Sequence, residues 1–406
     1  MPEKNKKFLP YVILFTLMYF TSYITRINYG AVIANIEEVE KISKELLSLA
    51  ITGSFITYGI GQVISGYLGD RFQPKNLIGY AFLVTATMNL LIPFCTSPYQ
   101  MTAIWCVNGF AQAFMWPPLV RIASEIFTPD EYAKATTYIS FGGNFGTIAI
   151  YLIAPAIIML ASWRQVFYVT AGCAIVMFLL WCKFCPKITS KKKEVVPQEK
   201  ISSENYIGRH PIFSIMMVLV MVAIALQGSL RDGITTWMPT FISESFNLGS
   251  KISILTGAIL PIFGIFSIQL TSIIYRKKFQ KNPLLYVGII FMIGVASTLC
   301  LLLSNGKSVV LSVLFSACLS GTMHGANWVM VCILPMNFKK FGNISTVSGV
   351  LNACTYVGSA LSAYGIAVLC ENFGWTFTIV IWGLIALLGA SICIGFSKKY
   401  KNRILK

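Results

Sequence analysis

Apolar runs of about 20 residues, the length needed to cross a bilayer as helix, recur from end to end of this chain. No other feature restricts its fold so strongly. In hydrocarbon every backbone polar group must be satisfied internally, so only helices and closed barrels qualify. The runs are continuous rather than alternating, which excludes a β-barrel. Of the 406 residues, 56% are hydrophobic and 12% charged, against roughly 25% charged in an ordinary soluble domain. The chain reads as an all-α, polytopic membrane protein with twelve transmembrane helices. The first span is expected over 9–34, the fourth over 99–124, the fifth over 134–160, the seventh over 211–240 and the last over 375–397. Residues 1–7 resemble the start of a signal peptide, but the following run is too long and lacks a small-residue cleavage site, so it counts as a span.

The formal charge of +17 has a telling distribution. Lys191-Lys192-Lys193, Arg276-Lys277-Lys278 and Lys398-Lys399 fall in short segments outside the apolar runs, all on the same side of the membrane when loops are assigned alternately. The opposite loops hold only Lys41, Lys44, Arg164, Lys251 and Lys307. That bias places both termini in the cytoplasm of a plasma (inner) membrane protein, and it accounts for the basic charge without nucleic acid. The eleven cysteines are scattered, with no metal-ligand spacing. No nucleophile, metal site, cofactor motif or phosphate loop is visible, so an enzyme is not expected, and the chain is read as a monomer.

The long Lys-rich connection 186–210 divides an N-terminal six-helix half (1–185) from a C-terminal one (211–406). The halves echo each other. Arg26 and Arg231 are separated by the same interval as Arg71 and Arg276; Trp163 and Trp375 by the same interval as Gly146 and Gly358. This is a parallel repeat, with a pseudo-twofold axis along the membrane normal.

Arg26 and Arg231 each interrupt an otherwise apolar span, at a cost of roughly 2.5–3.5 kcal/mol apiece on insertion scales. The repeat brings them to similar depth. Paired guanidinium N–H groups match phosphate or carboxylate oxygens. Two facing cations would repel when empty, which favours holding an anion. The alternative is a permanent pair with a buried acid, Asp232 or Glu125. His324 is the one intramembrane histidine, read either as a proton or substrate group or as a neutral histidine bonded within the bundle. Tyr29, Gln62, Asn144, Asn327, Asn352 and Tyr356 offer hydrogen bonds, and Trp116 a ring, to a polar substrate; each has packing as its alternative.

Gly66-Tyr67-Leu68-Gly69-Asp70-Arg71-Phe72-Gln73-Pro74-Lys75 resembles the signature loop of the major facilitator superfamily. In this resemblance Asp70 and Arg71 form a cytoplasmic gate that latches helix ends. Arg26-Ile27-Asn28-Tyr29, Tyr58-Gly59, Trp116-Pro117-Pro118 with Arg121, Leu230-Arg231-Asp232-Gly233-Ile234 with Trp237-Met238-Pro239, and Gly349 through Gly358 to Trp375 resemble helices of the organophosphate:phosphate antiporters. The resemblance implies that Arg26 and Arg231 clamp a substrate phosphate. Gln62 stands where that family has a lysine, Phe141 near its histidine, and Asp232 beside its second arginine, so the cavity is less positive than the family's. The expected function is secondary active transport of a small organic anion, a phosphate ester or similar dianion, by exchange with alternating access. Phosphate or a proton would be the coupling partner, with Asp232 or His324 as proton or charge-balance group. Proton-coupled symport of a carboxylate is the alternative; Thr25 and Gln112 fall where related symporters carry acids. A non-transporting sensor is the third.

Overall fold

The computed structural model describes residues 8–42, 44–186, 215–247, 259–341 and 343–404. The expected linker from 187 onward and both chain ends lie outside the described residues. Twelve helical passes are present among the described residues: α1 (Phe8–Glu40), α2 (Lys44–Arg71), α3 (Pro74–Leu91), α4 (98–126), α5 (Pro129–Leu160), α6 (Trp163–Phe184), α7 (Ile215–Phe246), α8 (259–279), α9 (Pro283–Ser304), α10 (309–341), α11 (344–373) and α12 (375–404). By length and composition alone, nine described helices could cross a membrane. Large apolar side chains face outward, with Met159 and Leu160 87% and 90% exposed. Water would penalise such a surface, and hydrocarbon is its natural solvent.

Proline marks helix starts, because a first-turn residue needs no N–H partner. Pro74, Pro98, Pro129 and Pro283 all open helices. The fifth helix accordingly begins at Pro129 and not at 134. Thr128 and Glu131 cap it reciprocally, and Asp130 and Glu131 sit in its first turn, where acids complement the helix dipole. A hydropathy reading leaves those acids in a loop. The fourth pass is not continuous. It breaks between Pro98–Gln112 and Trp116–Ile126, because Pro117 and Pro118 cannot donate to a preceding turn. Between α11 and α12 the chain reverses at Gly374, with φ 77°, a conformation only glycine adopts freely.

The repeat is visible in the packing. An added Cβ on Gly146 would lie 2.7 Å from the Phe20 carbonyl oxygen, and one on Gly358 1.9 Å from that of Ala225. Phe20 and Ala225 are separated by the same interval as Arg26 and Arg231. The missing side chain lets α5 close on α1, and α11 on α7, to backbone contact. The Trp163 indole donates to Glu40 at 3.1 Å, and the Trp375 indole to Glu244 at 2.7 Å. Each ties the start of the last helix of a half to the end of its first.

The first and last six passes meet near the loops 72–73, 127–128 and 280–282, here termed the basic face. Tyr132 donates to the Cys332 carbonyl at 2.6 Å, Thr137 to Ser272 at 2.8 Å, and the Lys339 ammonium to the Ser124 carbonyl. Among the described residues, each hydrogen bond linking the two sets of helices lies on this side of the cavity described next.

Candidate functional site

A cavity of about 240 Å³ lies between the two sets of helices. At about 30 Å³ per water it has room for roughly eight, the scale of a small organic ion. Seven residues singled out in the sequence line it together with Asp232: Trp116, Asn144, Arg231, His324, Asn327, Asn352 and Tyr356. The break in α4 starts a new helix at Trp116, which packs against Tyr19 with ring centroids 5.1 Å apart. The indole N–H groups of Trp116 and Trp328, and the amide oxygen of Asn327, have no partner among the described residues. Buried polar atoms left unpaired beside a cavity are available to a ligand.

Arg26 does not line the cavity as it stands. Its guanidinium lies over the rings of Tyr23 at 4.4 Å and Tyr58 at 4.7 Å. Tyr58 in turn meets Tyr356 edge-on at 5.0 Å. Arg26 is thus one layer behind a wall that Tyr23 and Tyr356 form. No carboxylate pairs with it among the described residues; ring faces alone offset its charge. Tyr19 and Tyr23 went unremarked in the sequence reading. Their spacing of four, with Arg26 three further on, puts all three on one helix face and was the available signal.

Arg231 is different. Its Nε and Nη2 donate to the two Asp232 oxygens at 2.6 and 2.7 Å, and Ser359 donates to Asp232 Oδ2. The permanent-pair alternative therefore describes Arg231, with Asp232, whereas Glu125 lies 3.8 Å from Arg121. The pair remains partly open to the cavity, with Arg231 14% and Asp232 34% exposed. Ser359 was missed as well, although Asn352, Tyr356 and Ser359 fall on one face of α11 at spacings of four and three.

Two expected site residues lie elsewhere. Tyr29 is fully buried against Trp105 and Phe167, its hydroxyl directed at the Met101 sulfur. It faces its own helical set because it stands six positions beyond the cavity-lining Tyr23 and therefore some 120° round the helix from it. Gln62 is fully buried where α2 packs on α11, its backbone carbonyl against Gly349, so it does not reach the cavity. Thr25 and Gln112, the positions of acids in related symporters, bond each other at 2.9 Å. They form a neutral pair without a proton to exchange.

The gate residues also separate. Asp70 accepts from Ser345 N at 2.9 Å, Thr346 N at 2.7 Å and Thr346 Oγ1 at 2.6 Å. It caps the N-terminus of α11 from across the interface, satisfying orphan donors and the positive end of that helix. Asp70 sits at the end of α2, past its apolar stretch. There burial pushes its carboxyl above the ordinary range, against the opposing pull of the Thr346 and Ser345 bonds and of Arg121. Arg71 takes no part across the interface, since its guanidinium folds over its own neighbour Tyr67 at 3.4 Å. The cation bracing the turn is Arg121, which donates to the carbonyls of Gly69 at 2.6 Å and Phe72 at 3.2 Å.

A family profile described as Major Facilitator Superfamily matches residues 15–363. The membrane sensor protein UhpC of Salmonella typhimurium is 21% identical over 94% of this chain and 89% of its own. A probable hexose phosphate transport protein of Chlamydia muridarum is 21% identical over 95% and 92%. Among solved structures, the transporter FucP in its outward conformation matches with a TM-score of 0.72 at 10% identity, covering 97% of this chain and 99% of that one.

Proposed function

This chain belongs to the major facilitator superfamily, and on that premise we propose that it carries a small organic anion across the membrane, a phosphate ester or similar dianion. The observation that carries the substrate reading is Arg26, an intramembrane guanidinium compensated by aromatic faces and not by an acid. A carboxylate would cancel its charge; tyrosine rings leave its N–H edges for a ligand. The similarity to a hexose phosphate transport protein and to UhpC agrees with a phosphorylated substrate.

The two sets of six helices, 1–185 and 211–406, rock about the cavity. The basic face is the cytoplasmic one, by the charge bias of its loops, and both termini lie there in the plasma membrane. The conformer described is outward-facing, latched by Asp70 on α11. An anion entering the cavity contacts Arg231 and the orphan donors of Trp116 and Trp328 first. A swing of Tyr23 then brings Arg26 to it, and the halves close. Release on the other side, followed by capture of phosphate or another anion, completes an exchange cycle.

Proteoliposomes test this directly. Uptake of radiolabelled glycerol 3-phosphate or glucose 6-phosphate should be stimulated by internal phosphate and abolished by Arg26→Lys, because an ammonium replaces a two-pronged donor with a point charge. Normal uptake by that variant refutes the clamp. Saturable binding without flux would instead identify a sensor, a reading favoured by the likeness to UhpC.

A further inference from the structure

Asp232 is an anion already seated where a substrate anion has to go. It covers two donor positions of Arg231, Nε and Nη2, at 2.6 and 2.7 Å, in the bidentate geometry a phosphate or carboxylate would use. It is the one carboxylate lining the cavity among the described residues. A dianion that claims the fork must push Asp232 off it. The displaced carboxylate would then face the incoming negative charge at close range, an arrangement that like-charge repulsion disfavours unless one of the two is neutralised. Ser359 already touches Asp232 Oδ2 and gives the displaced group a resting place on α11.

Building on the anion-carrier reading above, we infer that Asp232 is a tethered counter-anion whose protonation couples substrate binding to proton uptake, giving the carrier a net, proton-driven mode besides exchange. When substrate arrives from outside, its oxygens replace Asp232 on Arg231, and a proton from the aqueous cavity forms an O–H bond on the Asp232 carboxylate. When substrate leaves inside, that O–H bond breaks, the proton departs to the inner solution, and the carboxylate returns to Arg231. The empty carrier then has its second arginine neutralised internally, so it reorients without a bound anion. The ionisable groups around Asp232 are Arg231 beside it on α7, His324 from α10 and Tyr356 from α11, with Arg26 and Tyr23 of α1 on the far side. His324 packs on α8, where an added Cβ on Gly264 would come within 3.3 Å of its ring. Thr25 and Gln112 bond each other and supply no competing acid.

The test uses the full chain in proteoliposomes with the membrane potential clamped at zero, and radiolabelled glycerol 3-phosphate, glucose 6-phosphate and inorganic phosphate as probes. One set of vesicles is loaded with the unlabelled probe, a second is empty with an outside-acid gradient, and a third is empty without a gradient. The expected result is uptake in the first set and gradient-driven accumulation in the second, about tenfold per pH unit if one proton accompanies each anion. Asp232→Asn should lower the ratio of gradient-driven uptake to exchange at least tenfold. Asp232→Glu should restore gradient dependence with a displaced pH profile, which separates lost coupling from misfolding. Uptake in the first set with no effect of the gradient in the second overturns the inference and leaves the carrier reading standing. An undiminished ratio in Asp232→Asn overturns it too. No uptake of any probe in the first set overturns the carrier reading, and the inference with it.

Discussion

Replacing Asp70 with alanine removes three acceptor contacts from the start of α11, two to backbone N–H groups and one to the Thr346 hydroxyl. Loss of a helix N-cap costs about 1 kcal/mol. A further hydrogen bond to a charged acceptor adds roughly 1–2 kcal/mol after exchange with water. The latched arrangement should therefore weaken by about 2–3 kcal/mol relative to the released one, a shift of roughly 30- to 150-fold in their ratio. Hydrogen–deuterium exchange reads this without labels. The Ser345 and Thr346 amides, which donate to Asp70, should exchange faster by that factor. Amides in the middle of α9 serve as an internal reference. Asp130→Asn, which removes a 2.7 Å pairing with Lys134 on its own helix and a 3.9 Å pairing with Arg276, both near the surface, should change exchange less than threefold. If Asp70→Ala leaves the two amides within threefold of the parent, the carboxylate does not hold the basic face shut and the capping argument fails.

Because burial raises the Asp70 carboxyl pKa in the latched form, that form binds a proton more tightly than the released one. Latching should thus strengthen as pH falls through the raised value and level off below the ordinary carboxylate value near 3.9, which the same amides report after correction for intrinsic exchange. Gly358→Ala places a Cβ against the Ala225 carbonyl, and overpacking of this kind costs about 1–3 kcal/mol. Its thermal midpoint in detergent should drop by several degrees, whereas Gly172→Ala, where an added Cβ meets nothing within 4 Å, should not fall. Tyr29→Phe removes only a weak contact to the Met101 sulfur and should leave uptake within twofold, while Tyr58→Ala, stripping a ring from Arg26, should reduce it at least tenfold; equal effects would contradict the division between cavity wall and inner core.

The number of passes and the repeat of one six-helix half in the other were legible because both rest on long-range patterns, apolar length and internal repetition, that tolerate local irregularity. The break before Trp116 was also written in the sequence, as Pro117-Pro118, yet an apolar tally runs straight across two prolines. Pro129 was overlooked for the opposite reason: Asp130 and Glu131 look like loop residues until their place in a first turn makes them favourable. Tyr29 and Gln62 were misplaced because a polar group in an apolar helix has two outlets, a cavity or another helix, and hydropathy does not say which. Helix phase does. Tyr23 and Arg26 share a face that Tyr29 does not, and Asn352, Tyr356 and Ser359 share one that runs along the cavity. The Arg71 assignment failed because two adjacent charges at a helix end point in different directions, and only Asp70 points across the interface.

The unlike handling of the two arginines has a further consequence. Arg26 rests on the π-faces of Tyr23 and Tyr58, while Arg231 is bound edge-on by Asp232. A ligand passing between them therefore meets a chamber with a head and a tail. The more highly charged end of an asymmetric molecule is drawn to the tyrosine side, where no acid contests it. Its weaker end faces a carboxylate that repels a second full anion yet accepts a hydrogen bond from a hydroxyl or an amine. Orientation, as well as size and charge, becomes a criterion for entry, so two isomers that differ only in which end bears the charge should not be carried alike.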